Sequence, residues 1–173
     1  MIQPIAWTAR TFIFDVPIGA FPALLERLRG TPARAADLVS GSSEGVLSHR
    51  SNGKWSAKEN LGHLTDLHPL DEKRLQEYLA GASALSGADM TNRATEAADH
   101  NHVPIALLLE RMRTTRGGWV LKLEGLSEEE IARTATHPRL KQPMRLLDWV
   151  YFIAEHDDHH LARARQAIRE AAR

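Results

Sequence analysis

The stretch that most constrains the fold is the closing one. Pro143 opens a long helical run in which Trp149, Ile153, Ala164 and Ala167 share a face, and into that face fall His156 and His160. Each residue of an α-helix turns by about 100°, so side chains four apart project one above the other. Two imidazoles placed this way can grip one metal ion, whereas His159, Glu155 and Asp158 turn elsewhere. The pair points inward, and the rest of the chain has to build a core around it. Arg163, Arg165, Arg169 and Arg173 at the end of the run suit a helix C-terminus and need no nucleic acid.

Three more helical segments precede this one. From Ile18 the apolar positions Phe21, Leu24, Leu25, Leu28, Ala35, Leu38 and Val39 recur at helical spacing. Gly30-Thr31-Pro32 interrupts them, which predicts a kink or a break, with Thr31 capping the second piece and Pro32 at its first position. Leu47 to Lys54 reads as a polar connection. Ser56-Ala57-Lys58-Glu59 behind Trp55 is a capping box, and it starts a helix with the stripe Leu61, Leu64, Leu67, Leu75, Tyr78 and Leu79. Pro69 predicts a kink one to two turns after His63. Pro104 starts a third helix, with Ile105, Leu108, Leu109, Met112, Trp119, Leu123 and Leu126 on one face, and Ser127-Glu128-Glu129-Glu130 caps a short one.

Two segments stand apart. Residues 1–17, with Trp7, Phe12, Ile13, Phe14 and Val16, suit an extended arm packed on a core. Residues 81–103 lack any sustained period and carry Asn92, Arg93, His100, Asn101 and His102, of which Asn92, His100 and Asn101 are candidate substrate-binding groups. Connections this long in a compact domain are usually functional or disordered. Four main helices and hardly any strand signal argue for one all-α domain over residues 1–173, a four-helix bundle over 18–171 with an N-terminal arm and a long loop between helices 2 and 3.

Composition limits the chemistry. Lys+Arg and Asp+Glu both number 22, so no global charge favours nucleic acid or an anionic membrane. The chain has no cysteine, which removes disulfides, thiolate zinc sites and a cysteine nucleophile. Neither a signal core nor a transmembrane run is present, and the expectation is a cytoplasmic protein with a small-molecule substrate.

A third ligand would turn the His156/His160 pair into a metal site. Loop histidines lack a fixed direction, which leaves His63 and His68 on the second helix. His68 lies nearer the middle of its stripe and His63 at one edge, so geometry alone leaves both open.

The residues Trp55-Ser56-Ala57-Lys58-Glu59-Asn60-Leu61-Gly62-His63-Leu64-Thr65-Asp66 resemble part of a known family. So do Thr136-His137-Pro138-Arg139-Leu140 and Ala154-Glu155-His156-Asp157-Asp158-His159-His160-Leu161-Ala162-Arg163, in this order and separation. The family is the DinB-like superfamily of bacterial metal-binding four-helix bundles. The resemblance covers roughly residues 20–168, including Thr91-Asn92-Arg93 and Asp99-His100-Asn101. It implies a single divalent metal held by His63, His156 and His160, and chemistry of two kinds: transfer of a low-molecular-weight thiol, as in bacillithiol transferases and mycothiol-dependent isomerases, or hydrolysis.

Three neutral imidazoles leave the ion an open position, the arrangement of catalytic zinc, and an all-nitrogen set suits zinc or nickel. Asp66, Asp157 and Glu59 are the carboxylates placed to orient imidazoles or relay a proton. The competing reading is a non-catalytic, metal-stabilised stress-response binding module. Apolar stripes on both sides of the last helix would also allow a homodimer.

Overall fold

A computed structural model describes residues 4–173, so residues 1–3 of the expected arm lie outside the described residues. After the arm, α1 (Phe21–Arg29) and α2 (Thr31–Val39) form the first limb of a four-helix bundle, and α3 (Glu44–Ser48) turns the chain. The second limb is α4 (Ala57–Asp66) followed by α5 (His68–Leu79). The long connection contains α6 (Arg93–Ala97), and the third limb is α7 (Ile105–Glu124). Then come α8 (Glu128–Ile131), β1 (Thr134–Thr136), β2 (Pro143–Arg145) and the fourth limb, α9 (Leu146–Ala171). The fold class is the expected one.

Local chemistry explains the breaks. Pro32 and Pro69 each sit in the first turn of a new helix, where a missing N–H costs nothing, so each run divides into two helices joined by one residue, Gly30 or Leu67, that keeps right-handed helical angles. Thr31 is not the cap that sequence suggested. It is already helical, and its hydroxyl donates to Asp157 Oδ2 at 2.8 Å. Both capping boxes form, at Ser56/Glu59 and at Ser127/Glu130. Two short expectations fail. Part of the polar connection at Leu47–Lys54 is helical, because Ser43 caps α3. Pro143 begins a strand rather than a helix, since Thr134–Thr136 pairs antiparallel with Pro143–Arg145 and holds it extended.

The arm is mostly extended with a 3-10 turn at Trp7–Ala9, and Trp7, Phe12, Phe14 and Val16 pack on the core. Arg10 donates to Glu155 Oε2 at 2.5 Å and pins the arm to α9.

The core divides into two apolar clusters. One holds Leu28, Leu75, Tyr78, Trp119, Trp149 and Ala154, and the other Ala35, Leu61, Leu64, Met112, Leu161 and Ala164. On every limb the residues between the clusters are polar and buried: Thr31 on the first, His63 and Asp71 on the second, Arg116 on the third, His156, Asp157 and His160 on the fourth. A polar layer thus cuts across the bundle. Arg116 donates to Asp157 Oδ1 at 2.7 Å within it. A buried ion pair of this kind adds little net stability but is costly to break.

Candidate metal centre

Beside the α4–α5 junction opens a cavity of about 450 Å³, lined there by His63, Leu64, Leu67, Leu70 and Asp71. His63, His156 and His160 line one wall, and their side-chain nitrogens all lie within 4.8 Å of one another. The structure brings the three together and leaves His68 out: that side chain is half-exposed and faces Glu72, with Nε2 at 3.5 Å from its carboxylate.

Hydrogen bonds on the outer side of two rings fix which nitrogen faces inward. Asn60 donates its amide N–H to the carbonyls of Ser56 (2.8 Å) and Trp55 (3.3 Å), so its Oδ1 accepts from His160 Nδ1–H at 3.0 Å. Thr95 donates its hydroxyl to Asp66 Oδ2 at 2.8 Å and therefore accepts from His63 Nδ1–H at 2.9 Å. The Nε2 lone pairs of both rings are left for the centre. His156 Nε2 stands 3.1 Å from His160 Nε2. Two nitrogens bound to one tetrahedral zinc at 2.0–2.1 Å stand about 3.3 Å apart, so the pair already has the spacing of a shared ion.

Burial keeps the rings neutral. It pushes the His63 imidazolium down to about 4 and lowers His156 and His160 well below the usual histidine range, with neighbouring imidazoles adding to the effect. Neutral imidazole is the form that ligates a metal. Trp55 flanks His63 with ring centroids 5.0 Å apart, and Trp7 flanks His156 at 4.8 Å, edge-on.

The supporting carboxylates differ in what they do. Asp66 acts on His63 through Thr95, and also bonds His100 Nε2 at 2.8 Å. Asp157 meets no imidazole: Thr31 and Arg116 occupy its two oxygens, and burial outweighs Arg116 to raise its pKa. Glu59 is taken up by its cap and by Arg50, whose Nε donates to it at 2.8 Å.

The three candidate substrate groups also separate. Asn92, in a left-handed conformation, lines the cavity together with Gly87, Ala88, Asp89 and Met90, so the long connection does form part of the mouth. His100 lies behind the wall, packed so closely on Gly62 that a Cβ there would meet its ring at 2.4 Å. Asn101 accepts from Ser56 Oγ at 2.6 Å and lies at the start of α4, away from the cavity. His159, expected to turn away, is a rim residue whose ring centroid is 5.7 Å from that of Trp7.

Asn60 and Thr95 escaped sequence reasoning. Asn60 had a signal, a polar residue one turn before His63. Thr95 had none, because only the tertiary fold brings α6 to α4.

Known proteins resemble this chain in both sequence and fold. A family model described as the DinB superfamily matches residues 27–164. A protein of Bacillus pumilus (strain SAFR-032), named "Putative metal-dependent hydrolase", is 26% identical over 122 residues, which is 68% of this chain and 66% of that protein. Among solved structures, YfiT from Bacillus subtilis, described as a probable metal-dependent hydrolase with an unusual four-helix bundle topology, superposes with a TM-score of 0.77. The match has 19% identity and covers 92% of both chains. A Streptococcus pneumoniae protein superposes with a TM-score of 0.62 at 14% identity, over 92% of this chain and 91% of its own.

Proposed function

The chain belongs to the DinB superfamily, and from that premise we propose a metal-dependent enzyme that hydrolyses a small molecule, with His63, His156 and His160 as the metal ligands. The observation that carries this reading is the triad of neutral imidazoles, two with their outer nitrogens bonded to the protein, opening onto a cavity of ligand size. Zinc or nickel suits the all-nitrogen donor set. A divalent ion held there supplies Lewis acidity and lowers the pKa of water or of a thiol into the neutral range.

The protein's own part is orientation and exclusion. Asn60 and Thr95 hold two ring planes, Trp7 and Trp55 shield the flanks, and the 87–92 segment narrows the mouth. No fourth protein ligand joins the triad among the described residues, because Asp66 and Asp157 are committed elsewhere. An open position favours catalysis over a purely structural metal. Thiol transfer would use the same centre with the sulfur brought by a cosubstrate, since the chain has no cysteine. No helix of the described residues is long and apolar enough to cross a membrane.

The test is a panel of esters and amides, and of thiol plus electrophile pairs, given to zinc- or nickel-loaded protein. Turnover that chelation and His156→Ala both abolish is expected, with hydrolysis exceeding thiol transfer. Turnover that survives His156→Ala overturns the proposal.

A further inference from the structure

The cavity has a second wall, built from the β1–β2 turn. His137 lines it and is only 2% exposed. Its Nδ1 accepts the backbone N–H of Leu140 at 3.2 Å. Burial, with Arg74 and Arg139 nearby, lowers its pKa to about 4, so the ring is neutral and its single proton sits on Nε2. That Nε2–H is buried and has no partner among the described residues. Arg139, two residues on, also lines the cavity and also leaves a buried donor, Nη2, without a partner. Its guanidinium forms no ion pair among the described residues, and burial lowers its pKa. Buried donors left unsatisfied cost roughly 1–3 kcal/mol each, and these two differ from the unpartnered indole donors of Trp119 and Trp149 in belonging to residues that line the cavity, where an entering acceptor can complete them.

Both groups sit on the same ring. His137 is 5.0 Å from Phe152 between centroids, and the Arg139 guanidinium is 5.6 Å from the Phe152 centroid and 5.8 Å from that of Trp7. Phe152 and His156 lie one turn apart on α9, about 6 Å along the helix axis.

We propose that His137 and Arg139 form a carboxylate-binding subsite in the cavity they share with the three histidines, so that the substrates are small carboxylates. A neutral N–H beside a guanidinium matches the two oxygens of a carboxylate, and the rings of Phe152 and Trp7 accept an apolar body next to it. This deepens the reading of a metal-dependent hydrolase by naming its substrate class, yet the subsite itself needs no metal.

The probes are benzoate, its neutral isostere benzamide, and inorganic phosphate, titrated calorimetrically into the full chain, both zinc-loaded and chelator-treated. Benzoate is expected to bind at least tenfold more tightly than benzamide or phosphate in both preparations. Arg139→Gln should remove that preference. So should His137→Asn, whose side-chain carbonyl still accepts from Leu140 while the Nε2 donor is gone. Melting curves identify any variant that fails to fold, and Arg139→Lys then serves, with a partial loss expected. Equal binding of benzoate and benzamide, a preference for phosphate, or a benzoate preference that appears only with zinc and ignores both variants overturns the subsite. If instead the protein proves to bind no metal, the chelator-treated titrations still decide the subsite.

Discussion

The two walls of the cavity are built on opposite principles. On the α4/α9 wall the outer nitrogens of two imidazoles are bonded, and Asp66, Asp157, Arg116 and Thr31 are all engaged. On the other, His137 Nε2 and Arg139 Nη2 have no partner among the described residues, and between the walls burial raises the pKa of Asp71. The first wall is held by bonds within the protein, and the second leaves two donors available to what enters. Substitutions should therefore carry opposite signs: the saturated wall loses stability or affinity when altered, while the unsaturated wall can gain stability at the expense of binding.

The largest effect is expected at Arg116. Arg116→Met leaves Asp157 as an uncompensated buried charge and should cost about 3–5 kcal/mol in urea unfolding at pH 7. A loss below about 1 kcal/mol would mean that the layer tolerates an unpaired carboxylate, and the contrast between the walls would lapse.

Asp71 should answer in the other direction. Burial raises its pKa to about 7, against the partial relief given by Arg116 and Arg74. The folded protein then binds a proton that the unfolded chain has released, so stability falls as pH rises from about 4, near the unfolded value, to about 7. Asp71→Asn removes this burden and should stabilise the fold by roughly 2–4 kcal/mol at pH 8, with little effect near pH 4. Melting curves at the two pH values check this, and equal shifts at both would contradict it.

The smallest effect sharpens the comparison most. Thr95→Val keeps the shape of the side chain but cuts the link from Asp66 to His63. Metal affinity should drop about 10–100-fold, the usual cost of losing a group that orients a ligand histidine. Benzoate affinity in chelator-treated protein should stay unchanged. Parallel losses of both would show that the walls are not independent.

Much of the saturated wall was legible in the sequence. The His156/His160 spacing, the Ser56/Glu59 cap and the apolar stripes follow from helical periodicity, which is local. His63 was not separable from His68 by spacing, because His68 lies nearer the middle of its stripe and His63 at one edge; family resemblance suggested His63, and its ring nitrogen lies within 4.8 Å of those of the pair. The partners Thr95 and Asn60, and the burial of His137, depend on contacts between segments far apart in the chain, where no period operates. The same holds for Pro143, which a distant strand keeps from starting the helix.

The arm has a practical corollary for purification. Trp7 touches the His156 ring edge, so a polyhistidine handle fused to this end of the chain would be tethered close to the triad. Such a handle would bring foreign imidazoles within reach of the three histidines, where they would compete for the cavity and inflate the apparent metal content. The far end of α9 runs eleven residues past His160, about 16 Å along the helix axis, which makes it the better point of attachment.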